Sequence, residues 1–445
     1  MHKLLKILLA GLVCLGSMAT AFADESAGVL PCTLTAENGT PVWQLSDQNR
    51  STKLDWSGGT LTVESTEPIT GLYLIWDRPP ESWTGTAGSQ TLSGGEYGFL
   101  HEYLPLESPV TRAELTLPEG SRCCDVYAFG AGELPDWVQQ WQPPLADADL
   151  LVLPTHADDE HLFFGGTMPY YAGELGKKVQ VVYFTSHWAE PYRPHELLDG
   201  LWTVGIRNYP VMSSFVDQYA DSLDYARTLY DEEEAVAWQV QQLRRFKPEV
   251  VVGHDVNGGV ARMFVRGVLA IRFHMYNADT LMQALELSAD PSYGPESAQE
   301  WGVWDVPKTY LHLWPENPIV MDWSQPLSAF GGKTAVEMAR LGFAEHVSQQ
   351  TFFKVEDYGP YDCRKFGLYR SLVGLDAQGG DFFENLAAGD YSDYLPPEPE
   401  PEPEPVSEPE PERARTLPGW TLLAGMVGAV ALAEGMILYG RGRKR

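Results

Sequence analysis

Short apolar runs separated by turn residues occupy the first third of this chain, and a different alternation follows. Thr60 to Val63 and Gly71 to Trp76 alternate or cluster β-branched and aromatic residues between groups of Gly, Pro and Asp. Arg112 to Leu117 and Asp125 to Phe129 continue the series. That spacing predicts an antiparallel β-sandwich over residues 24–146. From residue 147 the pattern changes. Leu150-Leu151-Val152-Leu153, Gln180 to Phe184 and Val250-Val251-Val252-Gly253 read as strands buried in a parallel sheet. Helices are predicted between them, one through Phe163 to Leu175 and one over Asp231 to Phe246. Asp231 is a plausible cap for the second, with three glutamates in its first turns. Strands alternating with helices predict an α/β domain over residues 147–390. All three strands run into polar, His-bearing segments, which gathers chemistry at one edge of the sheet.

The two ends of the chain carry membrane patterns. His2, Lys3 and Lys6 precede an apolar segment from Ile7 to Leu15, and Ala21-Phe22-Ala23 offers a small-x-small cleavage site. Residues 1–23 therefore read as a signal peptide. Residues 417–440 are nearly all apolar apart from Glu434 and exceed the about 20 residues needed to cross a bilayer. Trp420 and Tyr439 lie near the ends of this stretch, and the basic tail 441–445 marks its cytoplasmic side. The linker, residues 391–416, alternates Pro and Glu from Pro396 to Glu412, the composition of a stiff, extended spacer. The expected arrangement is a single-pass protein of the cell membrane whose body is extracellular.

Composition narrows the partners. A formal net charge of −30 excludes nucleic acid as a partner, since phosphate binding needs clustered Lys and Arg. Fourteen Trp and 21 Tyr suit a folded protein that handles sugars or broad surfaces. Outside the cell, Cys32 paired with Cys123 or Cys124 would join the two ends of the first domain. The alternative is that Cys32, Cys123, Cys124 and Cys363 are all reduced, and none has the spacing of a zinc ribbon.

The densest chemistry is Pro154-Thr155-His156-Ala157-Asp158-Asp159-Glu160-His161, directly after the first parallel strand. A hydrolytic zinc site needs about three protein ligands, an open position and a carboxylate beside the bound water. His156 and Asp159, three apart in a loop, can point at one ion, which leaves Asp158 as the base. Glu160 reads as a supporting or structural residue. A polar loop that merely caps the helix near His161 is the bland alternative.

Thr155-His156-Ala157-Asp158-Asp159-Glu160, followed by Gly165-Gly166-Thr167, resembles the signature of the PIG-L/LmbE-type de-N-acetylases, Ala-His-Pro-Asp-Asp-Glu with a following Gly-Gly pair. The likeness spans roughly residues 148–390. It takes in Arg193-x-x-Glu196, Gly253-His254-Asp255-Val256-Asn257-Gly258, and Phe366 to Arg370 followed by Val373 to Asp376. It implies a Rossmann-like fold and a Zn2+ hydrolase acting on N-acetylglucosamine derivatives. His156 and Asp159 become metal ligands and Asp158 the general base. Arg193, His254 and Asn257 become candidate substrate-binding residues, with a salt bridge from Arg193 to Glu196 as the alternative for that arginine. The family pattern continues after Asn-Gly with Glu-Tyr-Gly-His-x-x-His, whose last histidine completes the metal site. Here residues 259–273 intervene, with three arginines and no acid, before His274 opens what reads as the corresponding helix. His274 is the candidate third ligand, and the earlier histidine of the pair has no counterpart. The segment is either an insertion that returns His274 to the metal or a local disturbance of the reading frame. His187, His195, His312 and His346 read as structural, and His346 is expected nearest the substrate.

Leu45 to Thr52 resembles the early turn of discoidin-like sandwiches, many of which bind carbohydrate. Two functions of different class follow: a tethered deacetylase of N-acetylated amino sugars or glycans, or a catalytically impaired carbohydrate-binding protein.

Overall fold

The computed structural model describes residues 26–386, apart from 219, 221, 257–263, 266, 267, 270–272 and 352. The expected signal peptide, linker, membrane-spanning helix and basic tail lie outside the described residues. Among the described residues, no helix is long and apolar enough to cross a membrane.

Leu54–Trp76 and His101–Phe129 form two long, bent strands. Their partners run in opposite senses: Thr60 with Thr116 and Val63 with Ala113, then Leu72 with Ala128 and also with Leu104. That register is antiparallel. Thr33–Ala36, Trp83–Ala87 and Gln90–Gly94 complete the arrangement. The period of two sorts the side chains onto two faces. Leu72, Leu74 and Trp76 share one interior with Leu61, Val63, Leu115 and Leu117. Tyr73, Ile75 and Phe129 pack with Val138 on the other face. Among the described residues Cys32, Cys123, Cys124 and Cys363 are unbridged, and the Cys123 thiol donates to the Ile75 carbonyl at 3.3 Å.

The α/β region is built on a seven-stranded sheet. Its order is Pro318–Val320, Lys365–Ser371, Lys308–His312, Val250–Gly253, Leu150–Val152, Val179–Tyr183 and Val211–Met212. The last five are mutually parallel, and Lys365–Ser371 runs antiparallel to both its neighbours. Every residue of Leu150–Val152, Val179–Tyr183, Val250–Gly253 and Lys308–His312 is buried, because helices cover both faces. Leu150, Val152 and Val181 pack with Leu197, Leu201, Val336 and Phe343 of helices Tyr192–Thr203 and Ala335–Ala344. Leu151, Val182 and Val251 pack with Val240, Leu243, Leu281 and Leu285 of helices Glu232–Phe246 and Phe273–Leu287. Each such buried aliphatic side chain contributes about 1.5–3 kcal/mol.

Asp231 caps its helix as expected, accepting the Glu234 amide at 3.0 Å. The helix expected through Phe163 to Leu175 is broken. An α-helical turn spans Asp159–Leu162, and a wider π-type turn spans Pro169–Glu174. Gly165 interrupts it with a φ of 44°, and Pro169 cannot donate to the preceding turn. Both glycines are packed too closely for a side chain: a Cβ at Gly165 would lie 2.6 Å from Cys363 Sγ, and one at Gly166 2.7 Å from Trp323.

The parallel strands follow the order 3-2-1-4-5, so chain direction across the sheet reverses between Leu150–Val152 and Val250–Gly253. Loops leaving strands on either side of such a reversal diverge and open a crevice. The segments beginning at Pro154 and at His254 both enter that crevice.

Candidate active site

The loop from Leu153 to Asp159 is folded around one carboxylate. Asp159 Oδ2 accepts the amides of His156 at 2.7 Å and Thr155 at 3.2 Å. His156 Nδ1 lies 3.2 Å from the same oxygen. His274 Nε2 lies 3.0 Å from that oxygen and 3.0 Å from His156 Nδ1. Two imidazole nitrogens and one carboxylate oxygen thus face one another at 3.0–3.2 Å. Tetrahedral zinc with bonds of about 2.0–2.1 Å separates its ligand atoms by about 3.3–3.4 Å. The donor set and its spacing fit such an ion. His274 reaches this point despite the unusual segment before it, within which Phe264–Val265 and Val268–Leu269 pair as a short hairpin.

Burial disfavours a charged His156, but Asp217 and Asp159 outweigh it and raise its pKa well above the usual value. Burial opposes ionisation of Asp159, and His274 and His156 more than offset that, holding it well below the ordinary carboxylate range.

Asp158 adopts φ 122° and ψ −25°, a conformation that side chains other than glycine rarely take. Strain of this kind persists only where surrounding bonds impose it. Its amide donates to Glu160 Oε2 at 2.8 Å, and its carbonyl accepts from His161 and Leu162 at 3.1 and 3.0 Å. Burial pushes its carboxyl up, to about 7; Asp159 adds to the rise, and Arg193 and His346 oppose it.

His254 and Arg193, the expected substrate-binding residues, lie inward at 2 % and 4 % exposure. His254 Nε2 accepts the Thr155 amide at 3.0 Å, lies 3.3 Å from Asp159 Oδ2, and its ring stacks on His274 at 4.3 Å. Arg193 donates to the Ala157 carbonyl and sits 3.9 Å from Asp158 Oδ1. The alternative ion pair with Glu196 does not form, because Glu196 instead accepts from the Ser348 amide and hydroxyl at 2.8 and 2.6 Å. Asn257 lies outside the described residues. His346 is fully buried, with Nε2 3.0 Å from Glu160 Oε1. His187 Nε2 accepts the Ala157 amide at 2.9 Å, a structural use.

Sequence reasoning missed Asp217. Its Oδ1 lies 3.3 Å from His156 Nε2, and its side chain is 46 % exposed. Burial opposes its ionisation, but His156 lowers its pKa to about 2. Its position just after the Val211–Met212 strand, at the carboxyl edge of the sheet, is the signal that could have found it.

No family model matches the chain. Over 224 residues it is 29% identical to 1D-myo-inositol 2-acetamido-2-deoxy-alpha-D-glucopyranoside deacetylase 1 of Catenulispora acidiphila, covering 44% of this chain and 65% of that relative. The chain therefore spans just under two thirds of that relative's length. Over 255 residues it is 26% identical to the corresponding deacetylase of Streptomyces avermitilis, covering 51% of this chain and 82% of the relative. Among solved structures, N,N'-diacetylchitobiose deacetylase from Pyrococcus horikoshii matches at 16% identity over 47% of this chain and 74% of that one, with a TM-score of 0.34.

Proposed function

We propose that the chain, similar in sequence to the deacetylases named above and in motif to the PIG-L/LmbE-type de-N-acetylases, is a zinc-dependent hydrolase that removes acetyl groups from N-acetylated amino sugars or glycans. The observation that carries this reading is the triangle of His156 Nδ1, Asp159 Oδ2 and His274 Nε2 beside a buried, strained Asp158. His156, Asp159 and His274 would hold the zinc, which when bound supplies Lewis-acid polarisation of the acetamide carbonyl and acidifies a water. Asp158 takes a proton from the attacking water and returns it to the departing nitrogen, so acetate and the free amine leave. His254 holds the loop at Thr155 and stacks on His274 from behind, and Arg193 holds the loop at Ala157. Asp217, exposed beside His156, is placed to accept hydrogen bonds from substrate hydroxyls. Export by residues 1–23 and anchoring by residues 417–440 would put this chemistry outside the cell.

The test is metal content of the full chain together with acetate release from N-acetylglucosamine oligomers. Wild type should carry zinc at this site and release acetate. Asp158→Asn should keep the zinc and lose about 10²–10⁴-fold in rate. A chain with neither zinc nor acetate release overturns the reading, and glycan binding that persists there would favour a carbohydrate-binding protein.

A further inference from the structure

The same loop contributes to a second cluster that the proposed chemistry does not use. Glu160, His161 and His346 meet without solvent exposure. Glu160 Oε1 lies 3.0 Å from His346 Nε2 and 3.5 Å from His161 Nε2. The two rings stand 5.5 Å apart and inclined at 64°, so their Nε2 atoms turn toward the shared carboxylate rather than stacking. One donor atom from each residue falls within 4.8 Å of the others.

A second observation sets this cluster apart from an ordinary buried ion pair. Among the described residues, neither ring nitrogen of His161 has a hydrogen-bond partner, although the side chain is completely buried. Buried polar atoms are nearly always satisfied, and an orphaned pair on one imidazole points to something that binds there. The backbone around it is bare. A Cβ at Gly200 would lie 2.7 Å from His161 Nε2, 3.0 Å from His346 Nε2 and 3.0 Å from the Gly342 carbonyl oxygen. Glycine at 200 thus packs directly against the point where two imidazole nitrogens and a carbonyl oxygen converge. A Cβ at Gly342 would likewise overlap the His161 ring.

We propose that Glu160, His161 and His346 form a second, structural site for a zinc-class divalent cation, separate from the His156–Asp159–His274 triangle. Two imidazole nitrogens and one carboxylate oxygen are donors that such ions prefer. Complete burial makes it a closed site rather than one that admits substrate. Its consequence reaches the reaction through Glu160: an ion on Oε1 fixes the carboxylate whose Oε2 accepts the Asp158 amide at 2.8 Å.

The measurement is zinc bound per chain, on the full-length protein loaded with zinc and cleared by a weak chelator. Wild type should retain two ions. Asp159→Asn should retain one, and His161→Gln, His346→Gln and Gly200→Ala should each retain one. Gly200→Ala removes no donor, but its Cβ would crowd both Nε2 atoms, at 2.7 Å from His161 and 3.0 Å from His346. One ion in wild type that is lost in Asp159→Asn and kept in His346→Gln overturns this site and leaves the proposed function standing. One ion kept in Asp159→Asn and lost in His346→Gln sustains this site and overturns the first. Should the histidine variants fail to fold, anomalous diffraction at the zinc edge from wild-type crystals decides. A peak within about 2.0–2.2 Å of Glu160 Oε1 and both Nε2 atoms is expected, and its absence there overturns the proposal.

Discussion

Asn277 donates from Nδ2 to Thr155 Oγ1 at 2.9 Å, bridging 122 positions of sequence. It also donates to the Leu153 carbonyl at 3.3 Å, and its own Oδ1 accepts from Gln239 at 2.7 Å. Asn277 lies three residues after His274, on the same helical face. The bond therefore docks the helix carrying His274 onto the loop carrying His156 and Asp159.

Asn277→Leu should consequently loosen the third ligand without removing any ligand atom. Supporting residues of this kind typically change metal affinity by 10–100-fold. Zinc affinity measured by competition with a chromophoric chelator should fall by that factor, with far-UV circular dichroism unchanged. Wild-type affinity in Asn277→Leu would show that His274 is held independently of this anchor.

Arg193 offers a test of the base. Burial and Asp159 raise the Asp158 pKa, and Arg193 opposes them. Asp158 must be ionised to accept a proton, so the rate rises as pH passes upward through its pKa. Arg193→Met removes the opposing charge, raises that pKa further and moves the acid limb of kcat/KM to higher pH. Arg193→Lys should return it toward wild type. An acid limb that stays in place in Arg193→Met would assign that limb to another group.

Much of this site is legible in sequence because of what a parallel sheet does. Continuous apolar runs announce Leu150–Val152 and Val250–Gly253, and such a sheet brings their carboxyl ends together, so His156, Asp159 and His254 are readable as neighbours. His274 is readable only through the family likeness, since nothing in the arginine-bearing segment states where the chain returns. Asp217 is hard to read, because the strand whose carboxyl end would have pointed to it, Val211–Met212, is too short to display a clear period. The pairing of Glu160 with His346 spans 186 positions and follows from helix packing, which sequence pattern does not encode. The broken helix after Leu162 fails for a local reason: its apolar residues have the right spacing, but Gly165 takes a positive φ.

The joint between the β region and the α/β region should be acid-sensitive. The Gln139 amide donates to Tyr73 Oη at 3.2 Å, Tyr73 Oη meets His101 Nδ1 at 2.7 Å, and His101 Nε2 meets His195 Nδ1 at 2.9 Å. Burial, aided by Arg50, lowers both histidines, His101 well below the usual value and His195 to about 3. Both are therefore neutral when folded, and the unfolded chain binds the extra protons. Stability is complete above the unfolded pKa of about 6.5 and is lost as pH falls from there toward about 3. At pH 5 the loss is about 2 kcal/mol per histidine. His195→Phe should show a smaller drop in Tm between pH 7.5 and 5 than wild type. An equal drop would place the acid sensitivity elsewhere.

Lys308 is fully buried, with Nζ 2.6 Å from Asp376 Oδ1 and 2.7 Å from the Glu384 carbonyl. Tyr310 Oη donates to the other oxygen of Asp376 at 2.5 Å. This cluster ties the segment after the Lys365–Ser371 strand to the middle of the sheet. Removing one partner strands a charge where water cannot reach it, which costs about 3–5 kcal/mol. Replacing both partners by apolar groups of similar size removes the burial penalty along with the attraction, and such exchanges are often neutral. Asp376→Leu alone should lower the urea unfolding free energy by about 3–5 kcal/mol. Asp376→Leu combined with Lys308→Met should recover most of that loss, though the Tyr310 hydroxyl is left without its acceptor. If the double variant is as unstable as the single one, the Asp376 carboxylate acts chiefly through Tyr310 and the backbone rather than by neutralising Lys308.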